Sequence, residues 1–332
     1  MPDSPLGGCR LQVDRRMGGV VSYVFAPLGE LMHLPREVER CVAFLGCVRK
    51  GVFEPKGTGF FAAYPCGPNG QYRFHYLVTA RHVIEGIRKL SDDGEVYVRI
   101  NFLDRDCVVV RVSNDNWCFH DDDLVDASAV GLLMPEGHDH ASFNIESFAT
   151  QEIIEQNRIG TGSELFFPGL FNRHPGDKRN VPIVRMGSIA SMPSERVQTK
   201  WGMIDAYLVE GRSIGGLSGS PVFVFLGRRD IGAGWWPTSA GPVPWYIEQA
   251  QFGPSFLLGM MHGHFGVKDV LDLVEDDIII QQTTSVNMGI GIVIPAKHIL
   301  SMLHSHPKLI EIRDRAVKQK LDIDRSNAGE LD

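Results

Sequence analysis

The chain has 332 residues, of which 43% are hydrophobic and 22% charged, and its formal net charge is −7. This composition is typical of a globular protein that is long enough for a sizeable core or for two domains. The acidic balance gives no reason to expect a nucleic-acid or membrane-surface partner. No apolar run reaches the roughly 20 residues that a transmembrane helix needs.

The six cysteines all lie in the first 118 residues, and none forms a CxxC pair, so a zinc or redox motif is not indicated. Cys41 and Cys47 could pair in a secreted protein. The first residues, however, lack the basic and apolar segments of a secretory signal. We therefore expect free thiols, a cytoplasmic location and no cofactor.

The first part of the chain changes character near residue 37. Residues 1–36 are rich in Gly and Pro and are predicted to be an extension outside the core. In residues 37–150 short apolar runs alternate with turns, which is typical of β-strands. Six such strands are enough to close a small antiparallel barrel. They are predicted at 42–45, 57–63, 74–79, 95–102, 108–112 and 127–133.

Residues 151–305 repeat this β rhythm after a polar segment with helical spacing at 151–158. Strands are predicted at 165–167, 183–189, 206–209, 221–225, 256–261 and 289–294. The fold expected is therefore all-β, with two six-stranded antiparallel barrels. A long insertion at 226–255 interrupts the second barrel, and loops of that length are often functional. Helical spacing returns at 296–304 and at 308–320, the latter within a C-terminal segment, 306–332.

The segment Gly-Gly-Leu-Ser-Gly-Ser-Pro-Val-Phe at 215–223 places a serine between glycines just before an apolar strand. Acyl transfer needs a hydroxyl that stands clear of its own backbone and N–H groups that converge on a developing oxyanion. Glycines permit the unusual backbone angles of such a turn. Ser218 is therefore the candidate nucleophile, and Ser220 is interpreted as a turn serine that supports the loop.

A histidine and an aspartate stand upstream in matching contexts. His82 follows the strand at 74–79 within Thr-Ala-Arg-His, where its side chain can face a cleft. Asp126 precedes a run of small and apolar residues, where an acid can be buried beside an imidazole. A lone histidine is more often a surface residue, and Asp123 belongs to a run of acids that is typical of a solvated loop. The contexts favour His82 and Asp126 as functional residues.

These three segments, TARH at His82, DASAV at Asp126 and GLSGSP at Ser218, resemble the signature segments of trypsin-like (chymotrypsin-fold) serine proteases. They also occur in the His, Asp, Ser chain order of that class. The resemblance spans residues 40–305. It is closest to the bacterial, disulfide-independent branch that includes high-temperature-requirement proteases and glutamyl endopeptidases.

The resemblance implies a role for each residue. Ser218 would attack the scissile carbonyl, His82 would transfer the proton, and Asp126 would hold the imidazole. The backbone N–H groups of Gly216 and Ser218 would form the oxyanion hole. Leu217 stands where pancreatic-type enzymes carry an aspartate that pairs with a newly cut N-terminus, so we expect no zymogen cleavage of that kind.

The same resemblance predicts a substrate pocket that contains Arg212, Ser213, His262 and His264. A guanidinium six residues before the nucleophile would favour an acidic P1 residue, with a small apolar P1 residue as the next choice. The alternative is that Arg212 faces solvent and His262 is a wall residue.

No metal site is expected from the sequence, because the histidine pairs at 138/140 and 304/306 have no matching second half. We expect a protein or peptide substrate and consider control by a regulatory protein partner. A catalytically silent binding module of the same fold is the alternative to a protease.

Overall fold

The structure is a computed structural model that describes residues 36–134, 137–199, 202–211, 216–226, 235–238, 241–244, 255–275 and 278–329. Nearly all of the predicted N-terminal extension and most of the insertion predicted at 226–255 lie outside these residues. Residues 35–332 form one compact unit. The domain boundaries predicted within this unit stay predictions.

The first half of the chain forms a sheet that contains eight strands in its described part. Its strand order is β5-β4-β1-β2-β3-β7-β6, and β8 pairs in parallel with β2. The sequence predicted a six-stranded antiparallel barrel here, whereas the described strands form a sheet of eight. The two additional strands, β6 and β8, have only two residues each and cannot show an alternating pattern. The strands are β1 (Val42–Arg49), β2 (Val52–Cys66), β3 (Tyr72–Thr79), β4 (Val96–Ile100), β5 (Val108–Val112), β6 (Cys118–Phe119), β7 (Ser128–Gly131) and β8 (Phe143–Asn144).

The second half closes as a six-stranded antiparallel barrel in the order β10-β13-β18-β17-β14-β9, as predicted. Two separate two-stranded sheets, β11 with β12 and β15 with β16, accompany it in the described residues. The all-β fold class is thus confirmed. The strands are β9 (Glu164–Gly169), β10 (Ile183–Ser191), β11 (Val197–Thr199), β12 (Gly202–Ile204), β13 (Tyr207–Glu210), β14 (Pro221–Phe225), β15 (Trp235–Thr238), β16 (Gly241–Pro244), β17 (Ser255–Glu275) and β18 (Ile278–Pro295).

Two of these strands extend much further than their sequence pattern predicted. β17 and β18 remain paired along their length, out to Glu275 opposite Ile278. Only the base of this ribbon pairs with other barrel strands, through β14 and β13. The prediction found that base because its residues are apolar, and it missed the rest because charged and polar residues break the apolar run.

Five α-helices are present in the described residues. Helix α2 was not predicted, although its apolar residues Val83, Ile84 and Ile87 are buried on one face. The last helix is longer than predicted, and no helix in the described part of the chain is both long and apolar enough to cross a membrane. The helices are α1 (Glu37–Arg40), α2 (Arg81–Leu90), α3 (Gln151–Gln156), α4 (Ala296–Ser305) and α5 (Pro307–Gly329).

The last helix packs on the first sheet through a buried arginine. The Arg313 guanidinium lies 3.9 Å from the Tyr64 ring centroid and donates to the Tyr76 hydroxyl and the Leu303 carbonyl. A guanidinium stacked on an aromatic face is stabilised when it is withdrawn from water. The C-terminal segment is thus fixed to the strand β3 that leads to His82.

The two halves of the chain meet at buried aromatic residues. The Phe223 ring of β14 lies 4.1 Å from the Phe143 ring and 5.0 Å from the Phe166 ring, measured between centroids. All three side chains are fully buried. Burial of such rings contributes both apolar area and favourable ring geometry. This contact fixes the strand that follows the serine loop against the half that carries His82 and Asp126.

Candidate active site

His82 is the second residue of α2, which begins directly after β3. Its backbone N–H donates to Asp126 Oδ1 at 2.9 Å, and its ring Nδ1 lies 2.6 Å from Asp126 Oδ2. The first N–H groups of a helix have no partner within the helix, so a carboxylate at this position satisfies one of them. Both the backbone and the ring of His82 are therefore held by one side chain.

Asp126 reaches His82 because of the register between β3 and β7. Thr79 pairs with Ser128 in this antiparallel ladder, so the two residues before Ser128 lie level with the start of α2. The Asp126 side chain is 6% exposed. Asp123, the acid that the sequence analysis set aside, is 90% exposed and pairs with Arg81.

The electrostatics of Asp126 follow from its contacts. Burial raises the pKa of this carboxyl, but hydrogen bonds to His262 and His82 more than reverse the effect. The pKa therefore lies well below the ordinary range of an aspartate. A carboxylate that stays ionised can stabilise an imidazolium beside it.

His262 is the contact that the sequence analysis did not foresee. Its predicted place in the substrate pocket stays a prediction, and the structure adds a contact of its Nδ1, 2.5 Å from Asp126 Oδ2. Its side chain is 6% exposed, and its ring lies edge-to-face with that of His82, with 5.5 Å between centroids. One carboxylate oxygen is thus shared by two imidazoles. His262 and Asp126 are 136 positions apart, and no local pattern in the sequence links them.

Ser218 contacts the backbone of His262. Its Oγ donates to the His262 carbonyl at 3.2 Å. The loop needs glycine at two positions, since Gly216 has a φ of 100° and Gly219 a φ of 85°. A Cβ on Gly219 would lie 2.0 Å from the Thr58 carbonyl oxygen, which excludes any other residue without movement of the backbone.

Thr58 holds the serine loop from the first sheet. Its Oγ1 donates to the Gly216 carbonyl at 2.7 Å and accepts from the Leu170 N–H at 2.9 Å, and its N–H donates to the Ser218 carbonyl at 3.0 Å. Thr58 is fully buried. The carbonyls on both sides of Leu217 are thus tied to one residue, which fixes the conformation of the loop.

The backbone amides around the serine differ in whether a described residue accepts from them. No described residue accepts a hydrogen bond from the N–H of Gly216 or of Ser218. The next amide, that of Gly219, donates instead to the Met261 carbonyl at 2.8 Å. Two N–H groups separated by one residue, next to a hydroxyl, can bind a developing oxyanion.

The remaining predicted site residues are placed as follows. Ser220 is fully buried, and a Cβ on Gly169 would lie 2.0 Å from its Oγ, so this hydroxyl faces the interior rather than the cleft. His264 is exposed on β17 and pairs with Gly291. Arg212 and Ser213 lie outside the described residues.

A cavity of about 250 Å³ opens beside the histidine. His82 and Asp126 line it together with Arg81, Glu85 and Asp123. His82, Asp126 and His262 also form the one group in the described chain whose three ligand-type atoms lie within 4.8 Å of one another. These residues could hold a metal ion, which the sequence analysis did not expect.

The described residues contain a second histidine cluster away from this site. His140 Nε2 lies 3.5 Å from His75 Nδ1, and the His138 ring is tilted against that of His140 with 4.1 Å between centroids. Burial, followed by repulsion from the other two histidines and from Arg40, lowers the pKa of His140 to about 3. His140 is therefore neutral at ordinary pH and is part of the packed structure.

Comparison with protein-family models found no match, and no curated protein sequence matched. Among solved structures, the MamO protease domain from Magnetospirillum magneticum is similar, with 12% identity and a TM-score of 0.44, over 81% of this chain and 98% of that chain. Rv3671c from M. tuberculosis H37Rv has 15% identity and a TM-score of 0.40, over 80% and 87%. The Grass clip serine protease of the Drosophila Toll pathway has 14% identity and a TM-score of 0.42, over 81% and 69%.

Proposed function

We propose that this protein is a serine endopeptidase with Ser218, His82 and Asp126 as its catalytic triad. The observation that carries the proposal is the double contact of His82 with Asp126, at the backbone and at the ring. The same carboxylate contacts His262, whose carbonyl accepts from Ser218. This arrangement fixes the Nδ1–H tautomer of His82. The opposite ring nitrogen, Nε2, is then the acceptor that a serine nucleophile needs.

In the proposed reaction Ser218 Oγ attacks the peptide carbonyl while its proton passes to His82 Nε2. The resulting imidazolium is stabilised by Asp126, whose low pKa keeps it ionised. The amides of Gly216 and Ser218 bind the oxyanion of the tetrahedral intermediate. His82 then gives its proton to the leaving amine, and water hydrolyses the acyl-enzyme by the same path in reverse.

His262 acquires a different role in this proposal from the one predicted. Its Nδ1–H donates to the oxygen that His82 also uses, so it orients the carboxylate toward His82. Its backbone carbonyl also accepts from Ser218. Specificity then rests on Arg212, and an acidic P1 residue is the preference that we propose for the substrate.

Labelling with a fluorophosphonate probe tests the chemistry. The probe should react with wild-type protein and not with Ser218→Ala. Ser220→Ala is the matched control, because its hydroxyl is buried and should leave labelling in place. Absence of labelling in folded wild-type protein would indicate a binding module instead of an enzyme.

A peptide library tests the finer parts of the proposal. Cleavage after acidic residues that is lost in Arg212→Ala would support the P1 assignment. The proposal also includes control by a protein partner and a relationship to the high-temperature-requirement and glutamyl endopeptidase branch. Full cleavage activity of the purified chain on its own would contradict control by a partner.

A further inference from the structure

We infer that His82, Asp126 and His262 form a site for a transition-metal ion such as Zn²⁺, and that the ion switches the proposed protease off. Binding of the ion is independent of the proposed function, whereas inhibition rests on it. Two imidazole nitrogens, Nδ1 of His82 and Nδ1 of His262, approach the shared oxygen Asp126 Oδ2 at 2.6 and 2.5 Å.

The donor set is suited to zinc. Two imidazole nitrogens and one carboxylate oxygen with an open fourth position make a common zinc site. The three ligand atoms already lie within 4.8 Å of one another. Around a tetrahedral ion such atoms stand about 3.3 Å apart, given bonds of about 2.0 Å. The two nitrogen–oxygen contacts therefore have to open by less than 1 Å.

The environment allows this opening and gives the ion a path. His82 is the most exposed of the three ligands, with 27% of its side chain accessible, and it can shift outward. The other carboxylate oxygen, Oδ1, stays bonded to the backbone N–H of His82 and holds the acid in place. The cavity beside His82 is lined by Arg81, Glu85, Asp123 and Asp126. Arg81 pairs with Asp123, and the carboxylates of Glu85 and Asp126 leave an excess of negative charge that attracts a cation.

The charge balance is favourable as well. The empty cluster carries one negative charge, from Asp126, when both histidines are neutral. A divalent ion changes the net charge of the cluster from −1 to +1. The magnitude of the charge that the protein must bury is therefore not increased. A water molecule from the cavity can fill the fourth position.

Metal binding and catalysis exclude each other because both use His82 Nδ1. When the ion takes the Nδ1 atoms of His82 and His262, the proton of each neutral imidazole is transferred to its own Nε2 by exchange with solvent, and no proton is gained or lost overall. Nε2–H cannot accept the proton of Ser218, so the general base is lost while the substrate pocket is intact. The inhibition should therefore lower kcat and leave KM unchanged.

The described chain contains a natural comparison for this cluster. Asp205 Oδ2 is also shared by two groups, His298 Nε2 at 3.0 Å and Lys297 Nζ at 2.5 Å. The second partner is an ammonium group, which offers no lone pair to a metal. His298→Ser is therefore a matched control, since it removes a histidine from a carboxylate that has no second imidazole.

Titration of the purified full chain with Co²⁺, followed by visible absorption, tests the site directly. Wild-type protein and His298→Ser should bind one ion in tetrahedral geometry, and Zn²⁺ should displace it. His262→Ser and His82→Ala should each bind at least roughly tenfold more weakly. Mg²⁺ and Ca²⁺ should not compete, because they prefer sets of oxygen ligands.

Two results would overturn the inference: absence of a stoichiometric Co²⁺ complex in wild type, or unchanged affinity in folded His82→Ala. His82 is on the surface of α2, so this variant tests the site even if His262→Ser does not fold. In the activity assay, Zn²⁺ should lower kcat and EDTA should restore it. If the protein binds Co²⁺ but the metal-free protein is not labelled by the fluorophosphonate, the metal site is supported and the proposed function is refuted.

Discussion

The hydroxyl of Thr58 provides the sharpest test of how the serine loop is held. In Thr58→Val the shape is kept, but the buried carbonyl of Gly216 and the buried N–H of Leu170 lose their partner. Each buried backbone group left without a partner costs about 1–3 kcal/mol. The free energy of unfolding should therefore fall by about 2–6 kcal/mol relative to wild type.

Thr58→Ser is the matched control, since it keeps the hydroxyl and removes one methyl group, at a cost of about 1 kcal/mol. Urea unfolding followed by circular dichroism measures both variants against wild type. The rate of fluorophosphonate labelling of Ser218 should also fall in Thr58→Val, because the Gly216 carbonyl is then no longer fixed. It should be retained in Thr58→Ser, which keeps the hydroxyl. If the two variants agree within about 0.5 kcal/mol, the hydroxyl does not clamp the loop and the reasoning is refuted.

Three further variants test the surrounding structure. Gly219→Ala should lower the free energy of unfolding by at least about 3 kcal/mol, because φ is positive and the new Cβ meets Thr58 and Thr79. Its control is Gly263→Ala, whose Cβ has open space. In the same urea assay this variant should stay within about 0.5 kcal/mol of wild type. Arg313→Met should lower the free energy of unfolding by about 1–3 kcal/mol through loss of the Tyr64 and Leu303 contacts, and the exposed Arg315→Met should change it little. Below pH 6.5 the unfolded state protonates His140, while the native state keeps it neutral down to about pH 3. The free energy of unfolding should therefore decrease as the pH is lowered from 6.5 to 3. His140→Gln should reduce this decrease, as measured by thermal unfolding.

The sequence contains enough information to place the elements that carry the proposed triad. Strand β14 was predicted with its observed ends at Pro221 and Phe225, because a continuous apolar run follows a glycine turn. The choice of Asp126 over Asp123 used the same kind of local evidence. Apolar residues follow only Asp126 in the register of a strand, and the structure buries that residue while Asp123 is exposed.

Other features depend on information that a single sequence does not display. Helix α2 could have been recognised from the spacing of Val83, Ile84 and Ile87, but the preceding strand pattern concealed where it begins. The outer part of the β17–β18 ribbon has no alternating pattern that marks it as strand. Its extent follows from pairing between the two strands, which is a contact between distant residues rather than a local preference.

The shared carboxylate shows which contacts of the proposed site a single sequence can indicate and which it cannot. The pairing of Thr79 with Ser128 brings Asp126 to His82 within a single sheet, so adjacent strands are sufficient for that contact. The contact with His262 requires that the barrel and the first sheet also pack together, through residues such as Phe143 and Phe223. His262 suggests a residue of the pocket wall when only its own strand, β17, is considered. Once the two halves are packed, His262 reaches the buried Asp126 as a second imidazole beside that of His82. This second imidazole orients the carboxylate and completes the donor set for a metal ion.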